Sequence, residues 1–328
     1  MGKLITITKI VFNGLSLQKK HRAIRRIFSI SSVLTIVLAG SPAVGQVNLP
    51  PVNLGDSNFM DGVAGPGWLF QETLSHYRIA DFTNSQGGNI PGDNESDITV
   101  ALSHLAVITE KQLWGGFYGA EILLPVVKAD ISTDFGPQGD TTGVGDLIFS
   151  PLLIQWTDSE LFGKPYWHRL NINFVLPTGE YEQNKSVNIG NNVLSFNPYY
   201  AFTLELSPEF EVSGRLHYLW NSKNKDPSPM VAVDDTQPGQ AFHMNYAASY
   251  AFKPGWRLGV AGYYLQQLTE HRIDGVEQAD SKEQVFAIGP GLRYANQGNF
   301  FYLNAYFESN AENRTEGNKL TLRYSKVF

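Results

Sequence analysis

The sequence predicts an all-β fold, a transmembrane antiparallel up-and-down β-barrel of about 12 strands. Three observations predict it. The chain closes on Lys319-Leu-Thr-Leu-Arg-Tyr-Ser-Lys-Val-Phe328, with Leu320, Leu322, Tyr324 and Phe328 on one parity. A strand with one face to lipid and one to a lumen alternates in this way and ends on an interfacial aromatic. Near the start, a basic stretch and a short apolar run form an export signal, and no later stretch approaches the roughly 18 apolar residues of a spanning helix. Between these ends, period-two segments are joined by connections that alternate long and short.

Residues 1–45 read as a signal peptide. Lys19-Lys-His-Arg-Ala-Ile-Arg-Arg26 is basic, Ile27 to Gly40 is apolar, and Ala43 and Gly45 stand where a signal peptidase reads small residues. Removing the seven bases of this stretch from 25 leaves 18 against 31 acids, so the exported part carries a net charge of −13. An acidic chain without a basic patch is not a nucleic-acid ligand. The absence of Cys excludes thiol catalysis, disulfides and Cys-type metal sites. Residues 46–66 precede any strand and are expected to form a periplasmic N-terminal segment or a plug, ahead of a barrel over 67–328.

The strands fall near 67–80, 97–109, 115–132, 143–157, 164–177, 192–205, 208–221, 239–252, 255–268, 283–295, 299–310 and 317–328. Asp81–Ser96, Thr133–Thr142, Thr178–Asn191, Ser222–Pro238 and Thr269–Lys282 are long connections. Glu110–Trp114, Asp158–Gly163, Leu206-Ser207, Lys253-Pro-Gly and Asn296-Gln-Gly are short, and Ala311–Glu316 is expected to be intermediate. Turns that must cross the membrane during insertion stay short, whereas outer loops can grow; an even strand count leaves both termini in the periplasm. In the eighth strand, Phe242, Met244, Tyr246, Ala248, Tyr250 and Phe252 oppose His243, Asn245, Ala247, Ser249 and Ala251. Lys326 breaks the outward parity of its strand, and Glu72 shares the parity of Trp68 and Phe70, which leaves its facing open. Pro125, Pro151, Pro198 and Pro290 fall inside strands, where bulges or bends are expected because each removes a ladder donor.

The other parity supplies lumen candidates of both charges: Arg169, Asn171, Asn173, Glu211, Arg215, His217, His243, Asn245, Arg257, Arg293 and Arg323, with Asn197, Glu205, Asn304 and Glu308 beside them. Mutual pairing that holds the barrel's shape is the expectation for most of these, because buried charges are normally paired. Strands two to four differ. Leu147–Trp156 is apolar on both faces, and Leu152 shares the parity of Ile148 and Ile154, which makes these three the candidates for an apolar inner wall. Such a wall serves either as the seat of a plug or as a track for a hydrophobic solute.

Several segments carry a family resemblance. Leu49-Pro-Pro-Val-Asn-Leu-Gly-Asp-Ser-Asn-Phe-Met-Asp-Gly-Val-Ala-Gly-Pro-Gly-Trp68, Gly143-Val-Gly-Asp-Leu-Ile-Phe-Ser-Pro151, Leu176-Pro-Thr-Gly-Glu-Tyr181, Asn197-Pro-Tyr-Tyr200 and Gly289-Pro-Gly-Leu-Arg-Tyr294 resemble the outer-membrane proteins linked to the meta-cleavage pathway of phenol degradation. The resemblance spans nearly the whole exported chain. It implies a barrel, a bacterial outer-membrane location and a role in transport, and brings no agreed ligand or catalytic residues.

The expected function is therefore a channel for small hydrophobic or aromatic compounds, with outer-membrane lipid, the barrel-assembly machinery that reads Phe328, and a small hydrophobic solute as partners. Two alternatives stand beside it: a lipid-modifying outer-membrane enzyme, and a structural or adhesive barrel. Gly55-Asp-Ser57 superficially resembles a lipase nucleophile block but precedes every strand. His76, His104, His168, His217, His243 and His271 show no metal-ligand spacing and no Ser/His arrangement, so neither a metal nor a cofactor is expected.

Overall fold

A computed structural model describes residues 47–134, 136–229 and 232–328; the signal peptide read in 1–45 lies outside them. Twelve strands form one closed antiparallel barrel. They are β1 (Gly67–Phe82), β2 (Glu95–Leu113), β3 (Gly116–Ser132), β4 (Leu147–Leu161), β5 (Lys164–Leu176), β6 (Ser195–Phe196 continued by Tyr199–Glu205), β7 (Phe210–Asn221), β8 (Ala241–Lys253), β9 (Trp256–Gln267), β10 (Gln284–Asn296), β11 (Asn299–Glu312) and β12 (Thr315–Val327). Each pairs with its sequence neighbours, and β12 closes on β1 with Leu74 opposite Leu322 and Ser75 opposite Thr321. Closure removes the unpaired edges that an open sheet would expose.

The short connections share the end of the barrel where β1 starts and β12 stops. Three are two-residue turns with both residues at positive φ: Trp114-Gly115 (55° and 79°), Phe162-Gly163 (55° and 69°) and Gln297-Gly298 (47° and 76°). That backbone matches the twist of the flanking strands. At the other end the loops are long, and two of them add a small sheet of Thr236–Gln237, Arg272–Ile273 and Val276–Glu277. The β11–β12 connection differs from the intermediate loop expected: only Asn313 and Arg314 lie between the strands. Both strands run further out, where the Glu316 carboxylate accepts the Ala311 N–H (3.1 Å) and the Arg314 carbonyl accepts the Thr83 N–H (2.9 Å).

The four prolines act differently. At Pro151 the ladder shifts between Phe149 and Leu152, a bulge. At Pro198 the strand assignment of β6 breaks, while the Asn197 N–H still reaches the Asn173 carbonyl (2.8 Å). Pro125 sits where β3 changes partner from β4 to an arm, Gly139–Val144, and its carbonyl accepts the Gly145 N–H (2.9 Å). Pro290 opposes Val260 with no shift of register.

The outer surface is apolar. Leu74, Leu105, Leu124, Val126, Leu216, Leu258, Val260, Leu303, Phe307, Leu320 and Leu322 are all exposed, an area no water-soluble monomer leaves uncovered. At the short-turn end, Phe252, Trp256, Tyr294, Phe301 and Tyr324 touch in sequence around the wall, with centroids 4.7–6.5 Å apart. This is an interfacial aromatic girdle around a lipid-facing belt. Glu72 faces outward, and its carboxylate accepts the Ser103 hydroxyl across the β1–β2 ladder (2.7 Å). Lys326 faces outward with its ammonium 5.9 Å from the Phe328 ring.

Candidate functional site

Residues 49–62, the plug, bond and pack against inward-facing side chains of the barrel wall. Because this segment has no regular structure, its backbone polar groups need partners from the wall, and polar inner side chains supply them. Glu283 accepts the Leu49 N–H (2.5 Å). Asn245 grips one turn from both sides, donating to the Asn53 carbonyl (2.8 Å) and accepting the Gly55 N–H (2.7 Å). Tyr306 donates to the Gly55 carbonyl (3.0 Å), Lys319 to the Leu54 carbonyl (2.6 Å) and Arg323 to the Asp56 carbonyl. Asn58 bonds Asn304. Thr203 accepts the Gly62 N–H (2.8 Å), and Gln155 donates to the Gly62 carbonyl (3.0 Å).

The one plug carboxylate with bidentate wall partners is Asp61. Arg215 bonds both its oxygens (3.0 and 2.7 Å), and Arg169 donates to its carbonyl (3.2 Å). Paired guanidinium and carboxylate groups of this kind fix both position and orientation. Gly62 then passes so close to β6 that a Cβ there would sit 2.4 Å from the Thr203 nitrogen. Leu49, Leu54 and Phe59 add apolar contact, packing with Ala241, Ala247, Ala261, Tyr263, Leu265, Val285 and Tyr306. Among the described residues, plug contacts of these kinds fall on β4 to β12 and the residue leading into β10, and none falls on β1, β2 or β3.

The uncovered side is apolar. The inner parity of β2 carries Ile98, Val100, Leu102, His104, Ala106 and Ile108; that of β3 carries Leu123, Val127, Ala129 and Ile131. Ile148 and Val175, which oppose one another, extend the stripe onto β4 and β5. Ile98, Val100, Val127, Ile131, Ile148 and Val175 are half-buried although they face inward, whereas Ala241, His243, Ala261 and Leu265 on the plug side are 0–1% exposed. The plug side is therefore filled, whereas the apolar side mixes these half-buried residues with the buried Leu102, Ala106, Ile108, Leu123 and Ala129.

The apolar-wall expectation needs correction. Ile148 faces inward, but the bulge at Pro151 reverses the parity after it, so Leu152 opposes Ile172 and Ile154 opposes Leu170 on the outer face. Ile154 is nevertheless fully covered, with Trp156 and the close-approaching Gly116 near it.

The polar candidates stand on the inner parity and do different jobs. Arg169, Arg215, Asn245 and Arg323 seat the plug. Asn171 donates to Glu121 (2.9 Å) and accepts the Ser150 hydroxyl (2.6 Å). Glu211 and Arg257 meet through Ser249, which bonds both. Arg293 lies over Phe300 (4.9 Å) and Tyr302 (5.7 Å). His217 and His243 stack at 4.1 Å, and His243 bonds Asn197 (3.1 Å). The Asn173 amide oxygen, buried on the same wall, has no hydrogen-bond partner among the described residues. Ser57 lies in the plug, buried, with a hydroxyl that no base contacts. Phe328 is exposed at the seam, where its N–H donates to the Trp68 carbonyl (2.9 Å). Sequence reasoning missed Asp61, Gln155, Thr203, Glu121 and His104.

The profile of a family described as "Putative MetA-pathway of phenol degradation" matches residues 80–324. The chain belongs to this family. No relative among curated proteins matches it. The COG4313 outer-membrane channel from Pseudomonas putida F1 superimposes with a TM-score of 0.72 at 20% identity, over 85% of this chain and 100% of that one, which establishes the shared fold. The β domain of the Bordetella autotransporter BrkA (TM-score 0.49, 13% identity, 80% of this chain and 100% of that one) is a looser likeness. So is the CymD monoaromatic hydrocarbon channel (TM-score 0.40, 11% identity, 81% and 89%). Neither bears on function. The exposed apolar belt and the aromatic girdle of this barrel suit the bacterial outer membrane.

Proposed function

We propose that the protein is an outer-membrane channel for small hydrophobic, aromatic compounds, which pass along the apolar stripe of β2–β5 while the plug keeps the rest of the lumen closed. The observation that carries this reading is the half-buried, inward-facing set Ile98, Val100, Val127, Ile131, Ile148 and Val175 on the side the plug does not contact. A water-filled porin lines its lumen with polar groups, and a sealed barrel buries its inner apolar residues. This lumen is apolar on that side, yet leaves these six inner apolar residues only half-buried. The COG4313 protein is named a channel, and the family's description names phenol degradation; both support the reading. The Ser/His contact of the described residues that an enzyme reading could use, Ser159 Oγ to His168 Nε2 (3.1 Å), lies on the outer parity with no carboxylate on His168 Nδ1.

The test is a charge on the stripe. Val127→Asp places a carboxylate on an apolar inner wall without a cationic partner, which costs several kcal/mol or draws water into the route. Uptake of an aromatic growth substrate at limiting concentration should fall several-fold, with the protein still present in the outer membrane. Unchanged uptake by a correctly inserted variant would move the route away from β2–β5.

A further inference from the structure

We propose that His104, oriented by Glu121, recognises the hydroxyl group of an aromatic solute on the apolar stripe; this rests on the channel reading above. Between Ile98 and Ile108, His104 is the single polar residue on the inner parity of β2. Between Phe117 and Ile131, Glu121 is the single charged residue on the inner parity of β3. The two meet, with Nε2 of His104 3.1 Å from Oε2 of Glu121.

The carboxylate is held from behind. Its other oxygen accepts the Asn171 amide (2.9 Å) and the Tyr199 hydroxyl (3.3 Å), and Asn171 is in turn fixed by Ser150. An acceptor on Nε2 places the imidazole proton there and leaves a lone pair on Nδ1, as an orienting carboxylate does for a metal-binding histidine. Nδ1 makes no hydrogen bond with any described residue, and it is not among the sealed polar atoms. The His104 side chain is 12% exposed, twice the 6% of Glu121, so the histidine is the member of this cluster that a solute can reach. Leu102 and Leu123 flank it. The arrangement offers one hydrogen-bond acceptor inside an apolar groove, and its complement is a small apolar ring bearing one O–H donor. A methyl ether of the same ring has no proton to give.

Glu121 is a positioning residue in this account, and that makes a sharp test possible. In Glu121→Gln the amide can still accept from Asn171 and Tyr199 but donates to Nε2 of His104, which moves the imidazole proton to Nδ1 and turns the acceptor into a donor. His104→Phe keeps a ring and removes both nitrogens. Binding of 4-fluorophenol, 4-fluoroanisole and 4-fluorotoluene to the purified full chain in detergent is read by 19F NMR, beside uptake of phenol, anisole and toluene by cells with and without the protein. Correct folding of each variant is checked by heat-modifiability.

The wild type should bind 4-fluorophenol about tenfold more tightly than 4-fluoroanisole, the scale of one well-placed hydrogen bond. His104→Phe should equalise the two, and Glu121→Gln should narrow the gap, because phenol and ether oxygens both accept from an Nδ1–H. A wild type without a phenol-over-anisole preference overturns the inference, as does a preference that survives undiminished in either folded variant. If cells with the protein take up none of the three faster than cells without it, the channel reading itself fails. If they take up all three with one ratio in every form, only the hydroxyl recognition fails.

Discussion

The two sides of the lumen are built from the same kind of strand and differ in what their inner parity carries. On the plug side, polar residues such as Asn245, Tyr306, Arg215 and Arg323 are drawn in because they satisfy the backbone and the carboxylate of a segment that has only a few turn hydrogen bonds of its own. On the β2–β3 side, the inner residues other than His104 and Glu121 are apolar, and Val100, Val127 and Ile131 are only half-buried. Irregular backbone inside a barrel demands polar partners, so the plug has settled where the wall provides them. An apolar wall offers it nothing, and stays free for a solute that asks for no hydrogen bonds. The same physics that seats the plug selects what passes beside it.

Four perturbations break or sharpen this contrast. The largest effect is expected from deleting residues 47–61: the plug side should open, and single-channel conductance in planar bilayers should rise several-fold. An unchanged conductance would mean that the segment does not close the lumen. Next comes Asp61→Ala, which leaves Arg169 and Arg215 facing a site without its carboxylate. Loss of one partner of a buried ion pair costs about 3 kcal/mol or more. The expected readout is frequent opening events, with the barrel's melting little changed because the strands themselves lose nothing.

Leu152→Asp, set beside Val127→Asp, sharpens the contrast between wall and lumen. A carboxylate on the outer face meets lipid and should lower the amount of assembled protein, measured by heat-modifiability, whereas the inner one should lower uptake. The reverse pattern would mean that the bulge at Pro151 has been assigned the wrong phase. The smallest effect belongs to Asn245→Ala. It removes two hydrogen bonds to the plug turn, about 1–3 kcal/mol of seat stability, and should raise the opening frequency less than Asp61→Ala does.

Much of the barrel was legible in the sequence, because alternation with period two and the sorting of long from short connections are local signals. Phe242 to Phe252 states the facing of β8 without help. The facing of β4 was not legible, since Leu147–Trp156 is apolar on both faces and one inserted residue at Pro151 exchanges them. The plug seat lay beyond reach for another reason: Asp61 and Arg215 are 154 residues apart, and Leu54 and Lys319 are 265 apart. No spacing rule connects such pairs. His104 and Glu121 did leave a signal, as lone polar residues on otherwise apolar parities, and a scan for parity breaks on both faces would have found them.

Cysteine accessibility tests the divided lumen most directly, because the chain contains no Cys and each introduced thiol reports alone. Val127→Cys places one on the uncovered stripe and Ala261→Cys places one under the plug, where Ala261 is 1% exposed. Intact cells are treated with a small membrane-impermeant thiol reagent, and labelling rates are compared. The account predicts rapid labelling at position 127 and slow labelling at position 261, with the second rising to match the first once residues 47–61 are deleted. Equal labelling of the two positions in the full-length chain would contradict it.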